Sequence, residues 1–173
     1  MHLNVSVYLR FRIFTIVEYC FLAAFLLIAL KSIKIKRIIL ILSSIFVIIS
    51  GIDLFTTKAD TFDSVPVAIE AILIIIYCIY FLYEQIVTPT PKLIYASADF
   101  WVVVALLLYF CGTFFLYIYS QNYLGDSDFN KKYDIINSFF YILKNLILGL
   151  AMCVKAETRN SSISHSKRIE QAT

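Results

Sequence analysis

The charged side chains of Glu18, Glu70 and Lys144 stand inside segments that are otherwise apolar enough to cross a membrane. A charge in the hydrocarbon core is costly, so such a side chain normally faces protein or a water-filled cavity. Two carboxyl groups held together can act as general acid and general base, and a carboxylate and an ammonium group can form a structural ion pair. The sequence therefore predicts a membrane bundle with a polar interior, and Glu70 is its most informative residue.

Neutral polar residues recur at helical spacing beside these charges. Asn137, Tyr141 and Lys144 stand at positions i, i+4 and i+7, which share one face of a helix. We predict a polar pocket that opens towards the outer leaflet. Its predicted residues are Glu18, Glu70, Thr113, Asn137, Tyr141, Lys144 and Asn145. Two simpler interpretations stay open. The polar groups can hold helices together by hydrogen bonds, or the side chains of Glu70 and Lys144 can extend to the membrane–water interface.

Motifs of known enzyme classes are missing from the sequence. The two histidines, His2 and His165, lie outside the apolar segments, so a Ser-His or Cys-His nucleophile has no base in the membrane. The patterns H-E-x-x-H and G-x-S-x-G and a glycine-rich phosphate loop are also absent. The four cysteines stand singly in different apolar runs, which favours neither a metal site nor a disulfide framework. We therefore expect no cofactor, no metal and no catalytic residue.

Composition predicts the fold class. Of the 173 residues, 61% are hydrophobic and 16% charged, whereas a soluble domain is nearer half apolar and a quarter charged. The charges gather in short stretches between apolar runs, and no basic face indicates a nucleic-acid partner. We predict an all-α bundle of five transmembrane helices within residues 1–156 and a disordered cytoplasmic tail, 157–173. The spans are expected at about 13–30, 38–55, 66–87, 100–120 and 135–154.

The third span, Pro66–Val87, is the segment around which we expect the others to be arranged. Ser64 can cap its helix, Pro66 suits the first turn, and the prolines of the following Thr-Pro-Thr-Pro-Lys stretch must end it. Lysines and arginines then predict the orientation, because they concentrate on the cytoplasmic side. Nine of them fall on the side of the C-terminus and five on the opposite side. We expect the C-terminus in the cytoplasm and the N-terminus outside.

The apolar segments contain several short motifs: Glu18-Tyr19, Glu70-Ala-Ile-Leu-Ile-Ile-Ile, Phe100-Trp101, Tyr109-Phe-Cys-Gly-Thr113 and Asn145-Leu-Ile147. These motifs resemble those of an uncharacterised family of small polytopic integral membrane proteins of Bacteroidota. Lys144 lies outside the family pattern. The resemblance implies a sensory or accessory role, and it implies two further spans before the Glu-Tyr helix. We therefore expect this chain to lack those two spans and to leave a polar face of Thr15 and Glu18 without its partners.

The sequence favours a non-enzymatic sensory or scaffolding module in a bacterial inner membrane. Two alternatives stay open. The first is a lipid-directed membrane enzyme that uses Glu18 and Glu70 as acid and base. The second is a small transporter or channel subunit in which these acids carry protons or cations. The expected partners are membrane lipid and a membrane protein or a second copy of the chain, with no nucleic acid.

Overall fold

The computed structural model describes residues 2–56, 64–88, 94–123 and 127–170. These residues form five long α-helices and one short 3₁₀ turn, Ile94–Ala96, with no strand among them. The helices are α1, His2–Ala29; α2, Ile33–Thr56; α3, Ser64–Val87; α4, Ala98–Tyr123; and α5, Ser127–Glu170. Each contains a stretch long and apolar enough to cross a membrane. The predicted all-α fold with five candidate spans is confirmed, and the protein is a multi-pass membrane protein.

Helix α3 lies in the middle of the bundle and packs against α1 on one side and α4 on the other. Its buried residues repeat every three or four positions from Val67 to Glu84, with only a few percent of each side chain exposed. This period is that of a helix that buries one face against its neighbours. Helix α5 packs mainly on α4, while α2 contacts α1 and touches α3 only sparsely. Apolar side chains on the outer faces of α2 and α5 therefore remain exposed.

The ends of α3 follow the signals in the sequence. The helix begins at Ser64, and Pro66 stands in its first turn, where a missing backbone N–H leaves no internal hydrogen bond unmade. It ends at Val87, directly before the segment with the two prolines. After that segment the 3₁₀ turn is held to α4 by a hydrogen bond of 2.8 Å from Trp101 Nε1 to the Tyr95 carbonyl. The candidate membrane span within this helix runs from Pro66 to Val87, the range that the sequence predicts.

The first and the last helix of the chain are longer than the sequence predicts. Helix α1 already begins at His2, and α5 continues to Glu170. The prediction of a disordered tail is therefore wrong for residues 157–170, while residues 171–173 lie outside the described part. The physical reason is that the tail contains no proline or glycine, so nothing in it stops a helix that has already formed.

Helix α4 approaches α5 closely at Gly112. A Cβ atom at this position would overlap the aromatic ring of Phe140 on α5. At Gly149, also on α5, a Cβ atom would meet nothing within 4 Å. Gly112 is thus required by packing, because the absent side chain makes room for a ring of the neighbouring helix.

Candidate functional site

Glu70 is the most deeply buried acid among the residues whose burial the structure describes. It lies one turn beyond Pro66 on the buried face of α3, and 3% of its surface is exposed. Its Oε1 atom is buried and has no hydrogen-bond partner among the described residues. Leaving a buried acceptor unpaired costs about 1–3 kcal/mol, and more when it is charged. Glu70 is therefore a group with an unused capacity to accept a hydrogen bond.

Three hydroxyl groups form a cluster deeper along the same face of α3. The Tyr19 hydroxyl on α1 lies 2.9 Å from Ser43 Oγ on α2 and 3.3 Å from the Tyr77 hydroxyl on α3. Both tyrosine side chains are buried, and the Tyr19 ring packs on Phe46 with the ring centroids 4.4 Å apart. This hydroxyl cluster joins the first three helices. The Tyr19 hydroxyl also interacts electrostatically with Glu70.

Glu18 comes from α1 and is half-buried. Its electrostatic neighbours are Glu70 and Lys144. The structure therefore brings the two predicted carboxyl groups to one region of the bundle. Thr15, one turn before Glu18 on α1, is buried and has an interaction partner. The expectation that α1 leaves Thr15 on an open polar face is wrong, because α1 packs against α2 and α3.

The Lys144 ammonium group lies over aromatic rings and not against the Glu70 carboxyl group. Its Nζ atom lies 4.0 Å from the ring centroid of Tyr109 on α4 and 5.0 Å from that of Tyr141 on α5. A cation over an aromatic face is stabilised by about 0.5–2 kcal/mol, with the larger values in dry surroundings. The two ring faces stabilise this ammonium group inside the membrane, together with the electrostatic attraction of Glu18.

The other predicted pocket residues are dispersed. The Thr113 hydroxyl is buried but donates to the Tyr109 carbonyl of its own helix, at 2.8 Å. The Asn137 Oδ1 atom is buried and unpaired within the described part of the chain. Tyr141 and Asn145 are exposed on α5. The seven predicted residues are therefore not all brought together. Glu18 interacts electrostatically with both Glu70 and Lys144, whose Nζ atom lies over a ring of α4.

Sequence reasoning did not select Glu84, which makes a second polar site at the other end of α3. Its two carboxylate oxygens accept hydrogen bonds from the backbone N–H groups of Ser32 and Lys31, at 2.7 and 2.8 Å. Ser32 is the cap of α2, since its carbonyl accepts the first helical hydrogen bond from the Lys36 N–H. An acid at a helix N-terminus is favoured by the exposed N–H groups and the helix dipole. Glu84 therefore fastens the connection between α1 and α2 to α3.

The sequence did carry a signal for Glu84. Glu70, Tyr77 and Glu84 are spaced seven residues apart, so they share one face of α3, and all three are buried. The two acids are about 21 Å apart along the helix axis. One helix face thus links the unpaired carboxyl group, the hydroxyl cluster and the capped end of α2.

No family model, no curated protein and no solved structure matches the chain.

The chemistry open to the site around Glu70 follows from its groups. A carboxyl oxygen without a partner can accept a hydrogen bond from an incoming donor, and a second carboxyl group, Glu18, stands near it. The Tyr19 hydroxyl is already engaged with Ser43 and Tyr77, so it does not meet this need. Within the described ranges, no group of three His, Cys, Asp or Glu side chains is placed to hold a metal ion. The arrangement suits a ligand that donates hydrogen bonds or carries a positive charge.

Proposed function

We propose that this protein is a non-enzymatic membrane module of sensory or scaffolding type, and that it binds a hydrogen-bond-donating group at Glu70. The observation that carries the proposal is the buried Oε1 atom of Glu70, which has no partner among the described residues. Buried polar groups in proteins are nearly always hydrogen-bonded, and an exception calls for an explanation. A hydrogen-bond donor supplied by a lipid, a small molecule or a partner helix would explain why Oε1 is left without a partner within the described residues.

The sensory role is supported by how α3 connects its two ends. Glu70 and Glu84 share one buried helix face, and Glu84 holds the backbone at Lys31 and Ser32. A ligand that shifts or rotates the Glu70 end of α3 therefore also moves the anchor of the α1–α2 connection. That connection is the start of a basic stretch, which runs from Lys31 to Arg37.

The proposed location is the cytoplasmic membrane of a bacterium, with the N-terminus outside and the C-terminus inside. The nine-to-five distribution of lysine and arginine supports this orientation. It places Glu70 towards the outer leaflet and the basic stretch in the cytoplasm. Reporter fusions test it: a phosphatase fused after the last residue should be inactive and a fluorescent protein there should be fluorescent. The reverse pattern would refute the orientation.

Native mass spectrometry of protein purified in mild detergent tests the binding role. Wild-type protein should carry a bound small molecule or lipid that Glu70→Leu loses, because leucine has no acceptor for the ligand's donor. The control is Asp99→Asn, a change at an exposed acid in the first turn of α4, which should retain the ligand. Wild-type protein without any bound molecule, or Glu70→Leu with the same bound mass as wild type, would contradict the proposal.

A second candidate function, a lipid-directed enzyme, is favoured by one specific observation. Glu18 and Glu70 interact electrostatically, as the two carboxyl groups of an acid–base pair must. Incubation of the purified protein with radiolabelled membrane lipids separates the two functions. Lipid turnover that Glu70→Gln and Glu18→Gln both abolish would establish the enzyme, whereas bound ligand without turnover supports the binding module.

A further inference from the structure

A groove runs between α2 and α3. It encloses about 300 Å³, which is at the small end of the range of ligand pockets. Six apolar side chains form its walls: Leu42, Ile45, Phe46, Ile49, Ile69 and Leu73. Pro66, Ser50 and Asp53 complete the lining at one end. The groove is therefore apolar along its length and polar at a single end.

The position of the groove in the fold explains its shape. Its α2 wall extends from Leu42 to Asp53, which is about 16 Å along the helix axis. The two walls belong to the candidate membrane spans Ile33–Asp53 and Pro66–Val87. The polar end of the groove lies where Ile33–Asp53 ends and Pro66–Val87 begins. The apolar part thus lies at the depth of the hydrocarbon core and the polar part at the membrane surface.

The protein does not close this groove with its own helices. Helix α3 directs its buried face towards α1 and α4, so α2 touches it only sparsely. Ile45 and Ile49 on α2 remain 49% and 58% exposed although they line the groove. In a membrane, the space beside such side chains is filled by acyl chains.

We propose that the groove binds one lipid, with an acyl chain along its apolar walls and a primary-amine headgroup at Asp53 and Ser50. The occupant follows from the two ends of the groove. Its walls match a hydrocarbon chain that enters from the bilayer. Its polar end carries a carboxylate and a hydroxyl group, which accept hydrogen bonds from an ammonium group with three N–H donors. Asp53 already has an interaction partner within the protein, but its two carboxylate oxygens together accept several hydrogen bonds. An anionic headgroup is disfavoured by the charge of Asp53.

The lipid groove is a separate site from the one proposed around Glu70. Glu70 does not line it, although its neighbours Ile69 and Leu73 do. Glu70 instead interacts electrostatically with Tyr19 and Glu18 on α1, which lies on another side of α3. A failure of one proposal therefore leaves the other standing. Glu70→Leu should leave lipid binding in the groove unchanged.

The test is a lipid titration of purified full-length protein, read by native mass spectrometry. The probes are phosphatidylethanolamine, phosphatidylcholine and phosphatidylglycerol with identical acyl chains. Phosphatidylethanolamine should bind about tenfold more tightly than phosphatidylglycerol, a difference typical of one charge-assisted hydrogen bond. Phosphatidylcholine should bind less tightly than phosphatidylethanolamine, because its ammonium group has no N–H donor. Asp53→Asn should bring the affinities for phosphatidylethanolamine and phosphatidylglycerol to within about twofold.

Filling the groove distinguishes it from the ordinary lipid shell. Ile45→Trp places a large side chain in the groove and should weaken binding of all three lipids at least about fivefold. The control is Ile41→Trp on the same helix, at a position that is equally exposed (52%) but does not line the groove, and it should bind as wild type does. If Ile45→Trp does not fold, Ile69→Phe fills the groove from the α3 wall. Equal affinities for the three lipids, or equal effects of the groove and control variants, would overturn the proposal.

Discussion

The attachment of α2 through Glu84 gives the most direct prediction for stability. The Glu84 carboxylate is 6% exposed and accepts two backbone hydrogen bonds, one on each oxygen. Glu84→Leu removes both acceptors and leaves two N–H groups unpaired at the beginning of α2. A hydrogen bond to a charged group contributes about 1.5–3 kcal/mol, so two of them contribute about 3–6 kcal/mol.

Water reduces this loss, because the donors lie at an accessible edge of the bundle. Lys31 is exposed and Ser32 half-buried, so water can replace part of the lost bonding. We expect Glu84→Leu to lower the free energy of unfolding by about 2–4 kcal/mol. Glu84→Gln should lower it by about 1–2 kcal/mol, since an amide offers one acceptor oxygen and no charge to the helix N-terminus.

The measurement is reversible unfolding in mixed micelles, with the detergent sodium dodecyl sulfate as denaturant and circular dichroism as the signal. Gln85→Leu is the control, because Gln85 is the next residue on α3 and is half-buried. It should change the free energy of unfolding by less than about 0.5 kcal/mol. A Glu84→Leu variant as stable as this control would refute the idea that the carboxylate fastens α2.

Two further predictions concern α4 and α5. Gly112→Ala should destabilise the protein by about 1–3 kcal/mol, because the added methyl group overlaps Phe140. Gly149→Ala is the control and should be neutral or stabilising. Equal unfolding curves for the two variants would contradict the close packing. Glu70→Leu and Lys144→Leu should add independently, within about 0.5 kcal/mol, because Lys144 lies against tyrosine rings and not against Glu70. A double-mutant cycle on unfolding in detergent measures this, and a coupling above about 1 kcal/mol would mean that the two charges do pair.

The helices and their ends could be predicted because their causes are local. An apolar run of membrane length, two prolines after Val87 and Pro66 in the first turn each act on neighbouring residues. The continuation of α5 was missed for a related reason. Polar composition suggested disorder, but a helix that is already nucleated needs a specific signal to stop, and no proline or glycine follows Gly149.

The contents of the polar interior could not be predicted, because they depend on which helix faces meet. Lys144 was grouped with Glu70 by charge, yet the ring of Tyr109 on α4 lies over its Nζ atom. Thr113 was predicted in the pocket, but its hydroxyl is satisfied by a carbonyl of its own helix. Glu84 bonds to backbone N–H groups, which every residue type except proline carries, so no partner residue identifies the site in advance.

The length of α5 has a mechanical consequence. The helix contains 44 residues and is about 66 Å long, roughly twice the thickness of the hydrocarbon core. Its membrane span ends at Lys155, and the helix continues to Glu170, which adds about 22 Å beyond the span. A rigid rod of this kind acts as a lever: a tilt of about 10° in the span displaces its far end by about 4 Å. Helix α5 packs mainly against α4, and Phe140 meets Gly112 at this interface. A methyl group added at Gly112 would push Phe140 away and change the tilt of α5. The end of the helix beyond Lys155 would then move the most.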